Sequence, residues 1–306
     1  MLGRRILRIK AFKTVYSFAE NRSMTLKEAA AQLNKSCEAT RDLYLLMLSL
    51  PQAVTAEALS RIQAAQGKFN PTEEERHPNL RFTNNSIARI LNQDSEFNSI
   101  LKKKKFSWDQ SDVLLRHLYE TLRQRDYYKQ YMEAPECTPR LDAQLWVKFF
   151  EQELVDNPDL EPILEDMNIW WNNDLAYALT WVCKTVENLA RGKQWSMPEL
   201  YQSDMKKEAG MDDDSAFVHK LVERAIAGYD RYCGSIAQRT PKWDLNRICT
   251  TDLVLIACGM AESELFPDTP AKIIINEYVE ISKFYSTPES RAFVNGILDK
   301  LINKTI

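Results

Sequence analysis

Glycine is the residue whose scarcity most constrains the fold of this chain, because only 8 of its 306 residues are glycine. Turn-dense β folds use glycine at the backbone positions that need a positive φ angle. Leu, Ala, Glu, Lys and Arg recur throughout the sequence without long runs rich in Val and Thr. The composition therefore predicts an all-α fold.

The composition and the N-terminal sequence also predict the solubility and cellular location of the chain. Hydrophobic residues make up 44% of the sequence, which is enough for a packed core and excludes disorder as the default state. No run reaches the roughly 18 uninterrupted apolar residues that a membrane span needs. The first residues lead into mixed sequence rather than into the apolar run of a signal peptide. We therefore expect a soluble, cytoplasmic protein that has no membrane partner.

Charge is distributed unevenly along a chain whose net charge is only −3. Residues 1–22 contain six basic residues and one acidic residue, and residues 101–131 contain eight basic and four acidic residues. Residues 151–187 instead contain nine acidic residues and one lysine. This asymmetry predicts one face that meets an anion and another that repels it.

The six cysteines and three histidines show no spacing typical of a metal or redox site. The sequence therefore predicts no metal and no cofactor. Reduced and mostly buried cysteines are expected in a cytosolic protein.

Residues 3–20 are predicted to form a helix whose apolar face includes Phe12 and Val15. Arg4, Arg5 and Arg8 project along the same side as that face. Three arginines cannot all be buried with an apolar stripe. We therefore expect the basic end of this helix to extend beyond the core and face solvent or a ligand.

Helical patterns cover most of the remaining chain, and Thr25 with Glu28 forms a capping-box pattern at one start. Pro51 is expected to kink or break a helical segment, and capping residues just before Pro270 and Pro288 predict two sharp helix starts. Residues 67–83 and 135–139 are predicted to be loops. The predicted helical segments are 25–33, 36–66, 85–101, 109–133, 141–156, 161–191, 215–239, 244–266, 270–284 and 288–303.

Motifs in the last 65 residues closely resemble the NusB family of transcription antitermination factors, with matching order and spacing. They are Lys242–Ile248, Asp252–Ile256, Asp268–Pro270, Ile275–Glu277 and Phe293–Lys300.

The N-terminus carries the same resemblance. Arg4, Arg5 and Arg8 fall where the family has its arginine-rich motif, and Tyr16 belongs to its first helix. Carried over by position, the resemblance implies that these residues bind RNA together with Tyr285, which lies where the family has an aromatic residue in its RNA-facing loop. Arginine suits this role because its planar group both pairs with phosphate and stacks on bases.

The resemblance implies an all-α fold of two small helical subdomains without catalytic residues or activity. It also implies binding of a short single-stranded boxA-type RNA element in ribosomal RNA transcripts. The implied partners are the small-subunit ribosomal protein called NusE and the RNA polymerase antitermination complex.

Some positions depart from the family pattern or have a structural interpretation. The family's Tyr-Glu pair on the helix that helps meet the ribosomal protein is Ala261 and Glu262 here, so Glu262 alone carries over as a partner-binding residue. The third arginine of the typical motif is Ile6. Asn295 and Gly296 are assigned to the fold, with the glycine allowing a close helix approach.

The chain is about twice the length of an ordinary family member, which predicts an insertion. We expect N-terminal helices with the arginine-rich motif over 1–66, an inserted helical region of unassigned role over 67–209, and a NusB-like core over 210–306. Within the insertion, Lys102–Lys105 either extends the RNA site or is a solvated charge run.

Two other functions remain open. One is a protein–protein helical scaffold whose working surface is the acidic, aromatic-rich middle of the chain. The other is an accessory domain of an RNA-modifying enzyme, since a NusB-like domain also occurs fused to an RNA cytosine methyltransferase. The enzyme is disfavoured because the sequence has neither a Gly-rich cofactor loop after a strand nor a nucleophilic cysteine motif.

Overall fold

The computed structural model confirms the all-α prediction for the residues that it describes, which are 2–192, 195, 197–201, 214–241 and 247–303. Most of the predicted motif at 242–248 lies outside the described residues. In chain order the helices are α1 (Arg4–Glu20), α2 (Leu26–Leu48), α3 (Leu50–Gln66), α4 (Glu73–Arg76), α5 (Ser86–Gln93), α6 (Ser95–Lys104), α7 (Asp112–Gln124), α8 (Asp126–Glu133), α9 (Pro139–Glu153), α10 (Leu160–Met167), α11 (Leu175–Ala190), α12 (Asp214–Ala227), α13 (Tyr229–Arg239), α14 (Thr250–Leu265), α15 (Ala271–Tyr285) and α16 (Ser290–Ile302), with a 3₁₀ turn at Ile169–Trp171.

The chain divides into two compact units. Unit 1 consists of Met1–Glu38 and Leu200–Ile306, and unit 2 consists of Ala39–Glu199. Residues 39–66, which the sequence prediction grouped with the N-terminal helices, therefore belong to the same unit as most of the predicted insertion.

The helix boundaries follow local sequence chemistry, with one exception. At the start of α2 the capping box forms, since the Thr25 backbone N–H donates to Glu28 Oε2 at 2.8 Å and the Glu28 N–H donates to Thr25 Oγ1 at 3.2 Å. The break predicted at Pro51 falls at Ser49, because proline is tolerated in the first turn of the next helix. The caps predicted before Pro270 and Pro288 are wrong, since neither α15 nor α16 has a side-chain cap hydrogen bond.

Unit 1 is built around α14, which packs against α1, α12, α13, α15 and α16. The apolar run 253–258 in its middle is completely buried, as expected for a helix surrounded by other helices. Its buried Asp252 accepts hydrogen bonds from Ser286 and Ser290 at 2.6 and 2.7 Å, which ties the end of α15 and the start of α16 to α14. The end of α15 and the N-terminal helix α1 carry the residues of the candidate site.

The two glycines of unit 1 that could permit close helix packing behave differently. A Cβ atom added at Gly259 in α14 would lie 2.8 Å from Leu298 Cδ2 and 3.3 Å from Tyr278 Cδ2. A Cβ atom added at Gly296 would meet nothing within 4 Å. The close approach that the sequence analysis assigned to Gly296 is therefore wrong, and Gly259 provides it instead.

Unit 2 contains α3 to α11 and has an aromatic core. Trp146 on α9 is completely buried, with ring centroids 5.4 Å from Phe149 and 5.6 Å from Phe82. Its indole N–H donates to Asn85 Oδ1 at 3.0 Å, so the one polar group of the ring is satisfied. The aromatic residues that the sequence shows in this region thus serve in large part as core.

One stretch of the described residues, Leu26–Gln66, is long and apolar enough to cross a membrane by length and composition. Two thirds of its apolar window, 67%, is buried inside the protein. This is the burial expected of core helices in a soluble protein.

Candidate nucleic-acid interface

The basic end of α1 divides into an exposed part and a buried part. Arg4 and Arg5 are exposed, whereas Arg8 is only 7% exposed and lies among the core residues of unit 1. The prediction that the whole basic end extends beyond the core holds for Arg4 and Arg5 and is wrong for Arg8. The reason is a buried carboxylate that compensates the arginine charge.

That carboxylate is Glu262 on α14. Arg8 Nη2 donates to Glu262 Oε1 at 2.6 Å and Arg8 Nε donates to Oε2 at 2.9 Å, while the Tyr278 hydroxyl donates to Oε2 at 2.9 Å. Burial by itself lowers the pKa of Arg8, but the hydrogen bonds and charge of Glu262 outweigh it and the pKa is raised. Bidentate pairing with further hydrogen bonding is the arrangement in which a buried ion pair is tolerated.

The same pair determines what Glu262 can do. Glu262 is 1% exposed, and Ala261 before it is completely buried. Its carboxylate is already occupied by Arg8 and Tyr278. The structure thus brings together two residues that the sequence assigned to different ligands, and their binding roles stay predictions.

Arg5 pairs with the next carboxylate along the surface. Its Nη2 and Nε donate to Glu277 Oε1 at 2.7 Å and Oε2 at 3.0 Å, and Arg8 Nη1 reaches Glu277 Oε2 at 3.4 Å. The hydrogen bond from Arg5 lowers the pKa of Glu277, so this carboxylate remains charged. The Arg5 side chain is nevertheless 59% exposed and open to solvent.

Arg4 is held by an aromatic ring. Its Cζ atom lies 4.1 Å from the centroid of the Phe217 ring on α12, which is cation–π distance. This interaction orients the Arg4 side chain while leaving it exposed.

The two predicted tyrosines meet around Phe12. The Phe12 ring centroid lies 6.2 Å from that of Tyr16 and 5.2 Å from that of Tyr285. Lys13 Nζ lies 5.6 Å from the centre of the Tyr285 ring, and Tyr16 is 37% exposed. The result is an aromatic cluster on α1 and the end of α15, with a lysine beside it.

Phe284, the neighbour of Tyr285, is 79% exposed. Phe284, Phe217 and Lys13 were not predicted as site residues. Phe284 could have been found as an aromatic residue next to a predicted one. The position of Phe217 depends on how α12 packs on α1, which no local pattern contains.

Lys102–Lys105 lies at the end of α6 in unit 2 and is exposed. Lys104 Nζ forms an ion pair with Asp42 at 2.7 Å, and Lys105 ends the helix in the left-handed conformation with φ 58°. Cations at a helix C-terminus are favoured by the helix dipole, which gives this run a structural reason. A nucleic-acid role for it stays a prediction.

Two cysteines near the site bear on an enzymatic function. Cys258 is completely buried in α14, and burial raises the pKa of its thiol, which makes it a poor nucleophile. Cys249 is exposed at the start of α14 rather than inside a helix. Among the described residues, no group of three His, Cys, Asp or Glu side chains is placed to hold a metal ion.

Comparison with known proteins places this chain among relatives of the NusB family. Residues 180–303 match the NusB family. The chain is 34% identical over 119 residues to the transcription antitermination protein NusB of Chloroherpeton thalassium, which covers 39% of this chain and 52% of that protein. It is 30% identical over 127 residues to the protein of the same name from Thermoanaerobacter sp. strain X514, covering 38% of this chain and 90% of that protein.

A third relative of that name, from Thermodesulfovibrio yellowstonii, is 37% identical over 94 residues, which is 31% of this chain and 62% of the relative. The chain thus spans between about half and nine tenths of these relatives, while more than half of its own length has no counterpart in them. No solved structure matches the chain.

Proposed function

Because the chain belongs to the NusB family, we propose that it is a non-enzymatic, RNA-binding transcription antitermination factor of the cytoplasm. The three relatives described above are each named transcription antitermination protein NusB. The buried state of Cys258 further supports a role without catalysis.

The proposed ligand is single-stranded RNA of the boxA type. The observation that carries this proposal is the meeting of Tyr16 and Tyr285 around Phe12, next to Lys13 and on the helix that presents Arg4 and Arg5. Single strands are bound by cations that contact phosphates and by aromatic faces on which bases stack.

Within this proposal Arg8 has a positioning role. Direct binding of RNA would require Arg8 to leave the buried Glu262 carboxylate, which is costly. By fixing α1 to α14, the pair holds Arg4 and Arg5 at the surface. Phosphate binding then falls to Arg4, Arg5 and Lys13.

The proposed partners are the ribosomal protein NusE and the RNA polymerase antitermination complex. Family membership supports them, and Glu262 is the proposed partner-binding residue. Since Glu262 is buried, it would act by shaping the α14 surface rather than by touching the partner.

The test is a titration of a fluorescently labelled boxA RNA and a scrambled RNA of equal length, with and without NusE, at several salt concentrations. Arg4→Ala/Arg5→Ala should weaken boxA binding and reduce the slope of log K against log salt by about 0.7 for each phosphate that the variant no longer neutralises. The matched control is Arg116→Ala/Arg140→Ala, which removes two exposed arginines of unit 2.

A second variant has the opposite expected sign. Glu277→Gln removes the carboxylate that pairs with Arg5 and should strengthen RNA binding, because a phosphate no longer competes with it. Unchanged affinity and slope in the double arginine variant would reject the assigned surface. Equal binding of boxA and scrambled RNA in the presence of NusE would reject the boxA ligand.

A further inference from the structure

Unit 2 contains a groove between α9 and α11, a closely packed helix pair. Its volume is about 260 Å³. It is lined by Val147, Phe150, Glu151, Val155, Ala176, Leu179, Thr180, Cys183, Lys184 and Glu187. The RNA-binding proposal uses none of these residues.

The floor of the groove is apolar. Phe150 and Leu179 are buried beneath it, Val147 and Cys183 are half-buried, and Val155 is 42% exposed. Burying such a surface against apolar side chains is favourable at roughly 25 cal/mol per Å². The floor is therefore suited to an apolar side chain from outside.

The rim of the groove is acidic. Glu151 on α9 and Glu187 on α11 are both exposed, and the exposed Glu187 also forms an ion pair with Arg191, with 3.6 Å between its Oε2 and Arg191 Nη2. Burial raises the pKa of the Cys183 thiol to about 12, and the charges of these two glutamates contribute to the rise. The one lysine in the lining, Lys184, has its Nζ 4.6 Å from the Trp181 ring centre.

The surrounding sequence strengthens the negative charge. Seven of the nine acidic residues in 151–187 are exposed. A polyanion such as RNA would be repelled here, whereas a segment with lysines or arginines would be attracted.

The size of the groove limits what enters it. The side of the groove that α11 forms runs from Ala176 to Glu187, a length of about 16 Å at 1.5 Å per residue. A docked helix of about three turns has the same length. The volume lies below the roughly 300–1,000 Å³ of sites for drug-sized molecules. It suits one or two apolar side chains rather than a cofactor.

We propose that the α9–α11 groove docks a basic amphipathic helix of a protein partner, which places apolar side chains on the floor and lysines or arginines beside Glu151 and Glu187. The proposal does not depend on RNA binding by unit 1. It gives α9 and α11 a function as an interaction surface, and the part of the groove from Thr180 onward lies within the span that matches the NusB family.

The probe is a fluorescein-labelled synthetic 14-residue helical peptide with leucines at positions 4, 8 and 11 and lysines and alanines elsewhere. Binding to the full chain is measured by fluorescence anisotropy. We expect saturable binding that weakens with salt and is abolished when the three leucines are changed to serine. The charge-reversal variant Glu151→Lys/Glu187→Lys should bind the peptide about tenfold more weakly.

Two further variants separate the groove from general acidity. Thr180→Trp, at an exposed position of the lining, should block binding without altering the core. The matched control Glu161→Lys/Asp166→Lys reverses two exposed charges on α10 outside the lining and should bind the peptide within about twofold of the wild type.

If the anisotropy titration shows no binding of the peptide up to about 1 mM, the proposal is overturned. It is equally overturned if the serine peptide binds as well as the leucine peptide, or if Thr180→Trp leaves binding intact. Binding of labelled single-stranded RNA by Arg4→Ala/Arg5→Ala protein that is lost when Thr180→Trp is added would reassign the groove to nucleic acid. Loss of RNA binding alone would leave the proposal standing.

Discussion

The two units of the molecule use charge and packing in opposite ways. Unit 1 contains 21 basic and 19 acidic residues, and unit 2 contains 19 basic and 24 acidic residues. Unit 1 pairs its arginines with carboxylates, as in Arg8 with Glu262, and brings helices together at Gly259. Unit 2 fills its core with rings around Trp146 and leaves acidic side chains exposed around an apolar groove.

The comparison of the two units shows that the net charge of a segment does not reveal which of its charges are available to a ligand. Of the three arginines in the N-terminal motif, Arg8 is neutralised in the core and Arg5 is paired at the surface. In unit 2 Glu151 and Glu187 are exposed at a groove, although Glu187 also pairs with Arg191 at 3.6 Å, so part of the acidic surplus is presented at the surface. The same near-neutral chain thus has two proposed binding surfaces, whose ligands carry charges of opposite sign.

The largest expected effect comes from breaking a charge pair in each unit. Arg8→Ala should lower the free energy of unfolding by about 3–5 kcal/mol, because Glu262 would remain buried and uncompensated. Arg125→Ala in unit 2 also leaves a buried carboxylate, Glu153, which is 3% exposed, but Arg125 itself is 48% exposed, so the loss should be smaller, about 1–3 kcal/mol. Urea denaturation followed by circular dichroism measures both. Equal losses would remove the distinction between the units.

The packing contrast is tested by alanine at two glycines of unit 1. Gly259→Ala should destabilise the protein by about 1–2 kcal/mol, because Leu298 and Tyr278 are buried and cannot easily make room. Gly296→Ala should stabilise it by up to about 1 kcal/mol through helix propensity alone. Thermal melting of both variants is the measurement, and a stabilised Gly259→Ala protein would refute the close approach.

The contrast in ligands is tested with single tyrosines. Tyr16→Ala and Tyr285→Ala should each weaken boxA RNA binding by about 1–2 kcal/mol, as expected when one base no longer stacks. Tyr127→Ala, which removes a half-buried tyrosine of unit 2, serves as the control and should leave RNA affinity unchanged. Titration at constant salt gives the three affinities. A weaker affinity in the control alone would move the RNA surface to unit 2.

The smallest effect concerns pH. Burial opposes the ionisation of Glu264 in unit 1, but hydrogen bonds from Arg231, Tyr232 and Arg224 lower its pKa to about 2 from an ordinary 4.5. A lowered folded-state pKa stabilises the fold above the ordinary pKa, and this contribution disappears as the pH falls from about 4.5 to 2.

Glu264→Gln should therefore reduce stability by about 1 kcal/mol at pH 6 and by less at pH 3, because the pair is partly screened by solvent. Thermal melting of wild type and variant at the two pH values checks this. The control Glu133→Gln, at an exposed position of unit 2, should change the stability only slightly, and by the same amount at both pH values. A pH-independent decrease in Glu264→Gln would show that packing rather than charge is responsible.

Much of the fold follows from local sequence. Helix periodicity, scarce glycine and the Thr25–Glu28 capping box predicted the all-α class, most of the helical residues and one helix cap. They did not predict every boundary, since α4 lies in the predicted loop 67–83 and the predicted helices 85–101, 109–133 and 215–239 are each divided in two.

The cap predicted before Pro270 is absent, and nothing in the structure explains its absence. The cap predicted before Pro288 is also absent, and Ser286 and Ser290 donate instead to Asp252, a distant residue that no local pattern contains. Tertiary hydrogen bonds took the place of local ones there.

The candidate site was predictable in its residue types but not in its geometry. The family resemblance assigned Tyr16 and Tyr285 to the same ligand but did not predict that both rings pack against Phe12. The burial of Arg8 was missed, because the sequence near α1 contains no sign of Glu262 on α14. The spacing of apolar residues predicts which face of a helix is buried. Whether an arginine is buried with that face depends on a carboxylate that is distant in the sequence.

The close packing of Gly259 against Leu298 also constrains how this protein can change over generations. Any side chain larger than hydrogen at position 259 displaces the Leu298 methyl group that lies 2.8 Å from it. An alanine at position 259 therefore costs less stability where residue 298 is already smaller. Positions 259 and 298 are therefore expected to vary together, although α15 separates them in the chain.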